Sequence, residues 1–167
     1  MKGHFGLLAL SVIAVSLASS PRAAPNDIAQ LQALEQKLSA AVEARNVDAI
    51  MQAYIPDESL FVFDVIPPRQ YVGAKAFRKD WEAFLASTKG PLKYQITDLA
   101  VVPSGNIAYG HSIQRIVSTG TTGDPIDLTT RVTDVYRKLN GRWVIVQEHM
   151  SVPVDLDSGK PDLASKP

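Results

Sequence analysis

The chain has 167 residues, 46% of them hydrophobic, 20% charged and 7% aromatic, an ordinary globular composition that excludes fibrous, collagen-like and wholly disordered classes. Seventeen Lys and Arg balance seventeen Asp and Glu, so there is no basic footprint for nucleic acid or for an anionic membrane surface. No cysteine is present, which excludes a disulfide framework, a thiolate nucleophile and thiolate-held zinc.

Lys2 and His4 precede an apolar run of 14 residues, Phe5 to Ala18, followed by Ser19 and Ser20. This order predicts a secretory signal peptide, and the run is shorter than the roughly 20 apolar residues that a spanning helix needs. Ser16 and Ala18 satisfy the small-x-small cleavage rule, whereas a cut after Ala24 would set Arg22 three residues before it and Pro25 directly after it. Cleavage near Ala18 is favoured. Residues 1–24 are therefore set aside as the signal segment, and an exported protein, periplasmic or secreted, with no stable membrane span after cleavage is expected.

In the mature chain Ile28, Leu31, Leu34, Leu38 and Val42 recur at three-to-four spacing after the entry signal Pro25, Asn26 and Asp27, predicting an amphipathic helix that Asn46 ends. Asp48 is placed to cap a short second helix carrying Ile50, Met51 and Tyr54, stopped by Pro56. Leu60 to Val65 is β-branched and aromatic and is closed by Pro67 and Pro68, a strand and a sharp turn. Gly73 opens a third helix with Ala74, Phe77, Trp81 and Phe84 along one face. After Gly90 and Pro91 the period changes to two, giving four long strands at Leu92–Val102, Ile107–Thr119, Ile126–Leu139 and Arg142–Met150. Residues 154–167 are rich in Asp, Ser, Lys and Pro without apolar periodicity and read as a flexible tail.

Helices first and a run of strands afterwards define an α+β domain over residues 25–153, an antiparallel meander closed on its concave side by three helices. Four long strands twist and curl, so a hollow remains wherever side chains do not fill the concave side.

The element order, with the ending Asn140-Gly141-Arg142-Trp143-Val144-Ile145-Val146 followed by His149 and Ser151, and with Ile107-Ala108-Tyr109 before it, resembles the nuclear transport factor 2-like superfamily. Its relatives include SnoaL-like and ketosteroid-isomerase-like proteins and the association domain of calcium/calmodulin-dependent protein kinase. The resemblance spans about Ile28 to Pro153 and implies a cone-shaped, cystatin-like roll. Cavity arginines of the kinase association domain align with His111, Asp134 and Met150, none of them arginine here. The resemblance thus argues against the same anionic ligands and directs His111 and Asp134 into a cavity.

The Asn140-Gly141 turn decides which side chains share a face. With a two-residue loop, Leu139 faces Arg142 and Asp134 sits beside Gln147; with Leu139 in the loop and a glycine bulge, Asp134 faces Val146 and lies near Glu148. The resemblance favours the bulged turn. Val132, Asp134, Tyr136, Val144, Val146, Glu148 and Met150 would then line the concave face, and Trp143, Ile145, Gln147 and His149 the convex face, where apolar surface serves a homodimer contact.

Asp134 and Glu148 are the candidate general bases, because a half-buried carboxylate among apolar groups resists ionisation, and His111 on the neighbouring strand is a candidate partner. The resemblance to ketosteroid isomerases implies one carboxylate that shuttles a proton and a tyrosine that holds an enolate oxygen, for which Tyr54, Tyr109 and Tyr136 are available. The plainer and favoured reading of the two acids is a sheet ion-pair network in which Arg131, Arg137 or Arg115 neutralises them. Asp64 interrupts an apolar strand, where it either reaches the cavity or accepts backbone hydrogen bonds at the strand end. Phe77 and Trp81 either roof the cavity or pack the core. His111 and His149 lie on different strands without metal-ligand spacing, and no phosphate loop, Gly-x-Gly-x-x-Gly or Gly-x-Ser-x-Gly occurs, so no metal and no cofactor are expected. The expected function is binding of a small, mostly apolar organic ligand by Asp64, Tyr54, Phe77, Trp81, Tyr136 and Met150. The alternatives are a cofactor-free isomerase, cyclase or lyase using Asp134, Glu148 and His111, and a homo-oligomeric assembly module.

Overall fold

The computed structural model describes residues 26–165; the expected signal segment lies outside them. Three helices, α1 (Asp27–Glu43), α2 (Val47–Met51) and α3 (Ala74–Ala86), accompany six strands, β1 (Phe61–Phe63), β2 (Tyr71–Val72), β3 (Thr88–Ser104), β4 (Ile107–Gly120), β5 (Pro125–Leu139) and β6 (Arg142–Ser151). No helix of the described residues is long and apolar enough to cross a membrane.

The apolar stripe of α1 is buried through Leu31, Leu38 and Val42, and the helix packs across β3. Asn46 caps α2 rather than Asp48, its side-chain oxygen accepting from the Ala49 backbone N–H at 3.0 Å. Asp48 falls in the first turn instead and pairs with Arg78 at 2.7 Å. Tyr54 lies beyond the end of α2, in a parallel bridge with Ile145. Gly73, at φ 84°, occupies the position before α3, a left-handed conformation that a side chain would strain. Phe77, Trp81 and Leu85 form the buried face of α3.

The six strands form one open sheet in the order β2-β1-β6-β5-β4-β3. The meander from β3 to β6 is antiparallel as expected, but β1 joins β6 in parallel, which makes the sheet mixed. The short edge strand β2, absent from the sequence reading, pairs with β1. A run of two residues carries too little periodicity to be seen.

The turn between β5 and β6 differs from the expected one. Leu139 pairs with Arg142, so Asn140 and Gly141, at φ 50° and 80°, are the whole loop. The extra residue sits inside β6: Tyr136 pairs with Ile145 and Val135 with Gln147, leaving Val146 as a bulge. Beyond that bulge Asp134 stands opposite Glu148 and Val132 opposite Met150. The expected juxtaposition is reached by another route, because a bulge adds one residue and reverses the facing of everything after it. The same shift overturns half of the expected convex set. Trp143 and Ile145 are buried, whereas Gln147 and His149 are exposed.

Residues 152–165 turn back on themselves, with Val154 bridged to Pro161 and the Thr129 N–H donating to the Leu163 carbonyl at 2.7 Å.

Candidate functional site

Between α3 and the sheet lies a cavity of about 130 Å³. Phe77, Trp81 and Phe84 come from α3, Ile116 from β4, Leu128 from β5 and Met150 from β6; Asp64, Asp80, Tyr94, Gln114, Thr130 and Glu148 supply the polar part of the wall. Phe77 packs edge-on against Tyr54 at 5.1 Å between ring centres and against Trp81 at 6.1 Å.

Glu148 is 2% exposed and reaches this wall from β6. Its Oε2 accepts from the Tyr54 hydroxyl at 2.9 Å. Asp134, on the neighbouring strand and 1% exposed, stands directly opposite Glu148, and the two carboxyls act on each other's protonation. The Tyr136 hydroxyl lies 3.3 Å from Asp134 Oδ2 and 2.8 Å from Glu35 Oε1. Glu35, on α1 and 1% exposed, completes a row of three buried carboxyls, with the Tyr136 hydroxyl between Glu35 and Asp134 and the Tyr54 hydroxyl on Glu148. Glu35 Oε2 and Asp134 Oδ1 have no conventional donor.

Burial dominates the electrostatics of this row. It pushes Glu148 up to about 8, against the Tyr54 hydrogen bond, which acts in the opposite direction, and with the Glu35 charge adding to the rise. Burial likewise pushes Glu35 up to about 7, opposed by Tyr136. Asp134 is driven well above the carboxylate range by burial first, then by the Glu148 and Glu35 charges. Charged carboxylates this close and this dry repel one another, so the row holds protons at neutral pH.

The arginine network favoured from the sequence is not what surrounds the two acids. Arg115 makes a two-pronged pair with Asp127, at 2.7 Å through each prong, and none of the ion pairs found among the described residues involves Asp134 or Glu148.

The structure brings Asp134, Glu148, Tyr54 and Tyr136 together and sets Asp64, Phe77, Trp81 and Met150 in the cavity wall. Tyr54 and Tyr136 stand behind that wall, holding the carboxyls. His111 is not part of the site. In the first half of β4 the buried positions are Ala108, Gly110, Ser112 and Gln114, so the two-residue period turns His111 to the exposed face, as it does Tyr109. Gly110 leaves room for the Tyr136 ring, since a Cβ there would lie 3.1 Å from Tyr136 Cε2 and 3.0 Å from the Ala100 carbonyl.

Asp64 does both things proposed for it: its Oδ1 accepts from the Val65 N–H at 2.5 Å, and it lines the cavity beside Asp80. Burial, reinforced by the Asp80 charge and opposed by the backbone N–H groups, moves it up to about 6.

Sequence reasoning missed Glu35, Asp80, Tyr94 and Gln114. For Glu35 a signal existed, because it falls four residues after Leu31 and three before Leu38, within the apolar stripe where a solvated glutamate does not belong. Gln114 likewise continues the inward alternation of Ser112, and Tyr94 reaches it through its hydroxyl.

Among solved structures the chain is similar to a nuclear transport factor 2-like protein of unknown function from Pseudomonas putida KT2440, at 27% identity over 83% of this chain and 95% of that one, with a TM-score of 0.73. It is also similar to a nuclear transport factor 2-like superfamily protein from Salmonella enterica, at 15% identity over 77% and 92% of the two chains, with a TM-score of 0.69. A protein of unknown function with a cystatin-like fold from Nostoc punctiforme matches at 14% identity over 78% and 93%, with a TM-score of 0.64. These likenesses bear out the α+β, cystatin-like architecture. No curated protein matches the chain. The model of the SnoaL-like domain matches residues 31–155, which span all three helices except the first turn of α1, the sheet and every residue of the carboxyl row. The chain belongs to the SnoaL-like domain family.

Proposed function

We propose that this protein binds a small, mostly apolar organic molecule in the Phe77–Trp81–Met150 cavity and exchanges a proton with it through Glu148, in a cofactor-free isomerisation or elimination. The size of the hollow supports a ligand of about one ring, because a cavity of about 150 Å³ takes up benzene. One observation carries the catalytic part. Glu148 stands in an apolar wall, held by the Tyr54 hydroxyl at 2.9 Å, with its midpoint raised to about 8 by burial. A carboxyl that titrates near neutrality can take a proton from carbon beside a carbonyl and return it. Asp134 and Tyr136 act behind it as positioning residues, sharing protons with Glu148 and fixing its orientation.

The test is hydrogen exchange in D2O, followed by NMR, on a panel of five- and six-membered ring ketones. The wild-type protein is expected to accelerate deuterium uptake beside the carbonyl, and Glu148→Gln to lose that acceleration while the ketone still shifts the Met150 methyl resonance. Binding without acceleration by the wild type would leave a carrier in place of an enzyme.

Export belongs to the same proposal. The order of charge, apolar run and small residues at the N-terminus supports it, and mass spectrometry of the protein recovered from its host should find a mature N-terminus near residue 19. The exposed side chains of Val102, Ile107 and Tyr109 support a homodimer contact on the outer face.

A further inference from the structure

A base that takes a proton from carbon leaves negative charge on the neighbouring carbonyl oxygen, and that charge needs a hydrogen-bond donor. Tyrosine hydroxyls were the expected donors, but all five tyrosines are engaged elsewhere or exposed. The Tyr54 hydroxyl donates to Glu148 at 2.9 Å, Tyr136 to Glu35 at 2.8 Å, Tyr71 to Asp80 at 2.6 Å and Tyr94 to Gln114 Oε1. Tyr109 is 54% exposed on β4. A hydroxyl has one hydrogen to give, so none of the four engaged tyrosines keeps one for a ligand.

Trp81 is different. It lines the cavity from α3, is 7% exposed, and its indole N–H is a buried donor without a hydrogen-bond partner. Thr130 Oγ1 and Gln114 Nε2, in the same wall, each have a partner, the Gln114 carbonyl at 3.4 Å and Ser112 Oγ at 3.3 Å. A buried donor left unmet is costly, and an indole nitrogen only donates, so whatever completes it must bring an acceptor. Glu148 belongs to the same wall, and a hollow of about 130 Å³ is one ring across, so a single molecule meets both residues.

We propose that the ligand is a neutral ring ketone whose carbonyl oxygen accepts from the Trp81 N–H, and that Trp81 is a catalytic residue holding this oxygen while Glu148 works on the neighbouring carbon. This deepens the proposed function and rests on it. The Glu148 carboxylate takes the proton: the C–H bond breaks, an O–H bond forms on Glu148, and the electron pair moves into the carbonyl. Negative charge thereby passes from the carboxylate to the enolate oxygen. A donor already in place in a dry wall stabilises that charge more than water would. Return of the proton to carbon restores the carbonyl and the carboxylate. No Lys, Arg or His lines the cavity, which favours a neutral ligand over an anionic one.

Two measurements on the full chain test the assignment. In proton–nitrogen correlation spectra cyclopentanone should move the Trp81 indole N–H downfield, as a new hydrogen bond does. Methylenecyclopentane, of the same shape without the oxygen, should shift the Met150 methyl but not move the indole proton downfield. The Trp143 indole N–H, which donates to Asp27 at 3.1 Å, is the internal reference. Trp81→Phe keeps a ring in the wall and removes the N–H. It should slow deuterium uptake beside the carbonyl about 100-fold and lower the ratio of ketone to alkene affinity about fivefold, a ratio in which any general loosening of the fold cancels. Cyclopentanone that shifts the Met150 methyl without moving the Trp81 N–H downfield would overturn the role of Trp81 and leave the proposed function standing. Uptake in Trp81→Phe as fast as in the wild type would do the same. Failure of both probes to bind would overturn the two together.

Discussion

Glu35→Gln should make the protein more stable in alkaline solution and no more stable in acid. The carboxyl of Glu35 has an ordinary value of 4.5 and is raised by burial to about 7 in the folded chain. Below 4.5 both folded and unfolded chains hold the proton, and the group contributes its full share of native stability. Between the two values the unfolded chain has released its proton while the folded chain retains it, so stability falls as pH rises. Each unit of separation is worth about 1.4 kcal/mol. The span from 4.5 to about 7 therefore costs the wild type about 3 kcal/mol by the time the buried group ionises. Glutamine keeps the shape and the acceptor for the Tyr136 hydroxyl, now at 2.8 Å from Glu35 Oε1, but does not titrate. Its removal of a charge also relieves Asp134 and Glu148, which feel Glu35 as a repulsive neighbour. Urea unfolding of both proteins at pH 4.5 and pH 8 measures the effect. The variant should lie within about 1 kcal/mol of wild type in acid and exceed it by about 3 kcal/mol at pH 8. A variant equally destabilised at both pH values would refute the reasoning, because it would show Glu35 to be ionised and satisfied throughout.

Two other perturbations read different parts of the structure. Lys138→Met should cost about 2–3 kcal/mol in urea unfolding, since Lys138 Nζ lies 2.5 Å from the buried Asp27, which also accepts from Trp143 Nε1 at 3.1 Å; a loss below half a kcal/mol would show that Lys138 is not what balances Asp27. Phe77→Ala should cost about 3–5 kcal/mol and let a two-ring probe such as indole enter the enlarged cavity, detected by protection of the Met150 methyl in NMR; unchanged probe size would place binding elsewhere.

The fold was legible where one physical pattern ran for many residues. The stripe Leu31–Leu38–Val42 and the period-two run after Pro91 gave α1 and the meander, because a helix or strand face repeated many times leaves its mark on sequence. The strand β2, two residues long, left none. Asn46 and Asp48 are both good caps, and only the backbone angles of the corner, with Arg45 at φ 55°, select Asn46. The site was half legible. Asp134 and Glu148 stood out as acids in apolar strands, and their meeting depended on the Val146 bulge, a local choice of backbone that side-chain pattern does not encode. His111 was misdirected by a resemblance, where the plain alternation along β4 placed it outside. Glu35 was hidden by its residue type, because glutamate is common on helices and usually faces water.

The account rests on Glu148 titrating near neutrality in the cavity wall, so that its acid and base forms are both accessible. Carbon-13 NMR of the glutamate side-chain carboxyls, with Glu148 assigned by its loss in Glu148→Gln, follows that proton directly. A midpoint near 8 is the expected result. A midpoint near the ordinary 4.5 would mean that water reaches Glu148 freely, and it would contradict both the dry cavity and the proton exchange built on it.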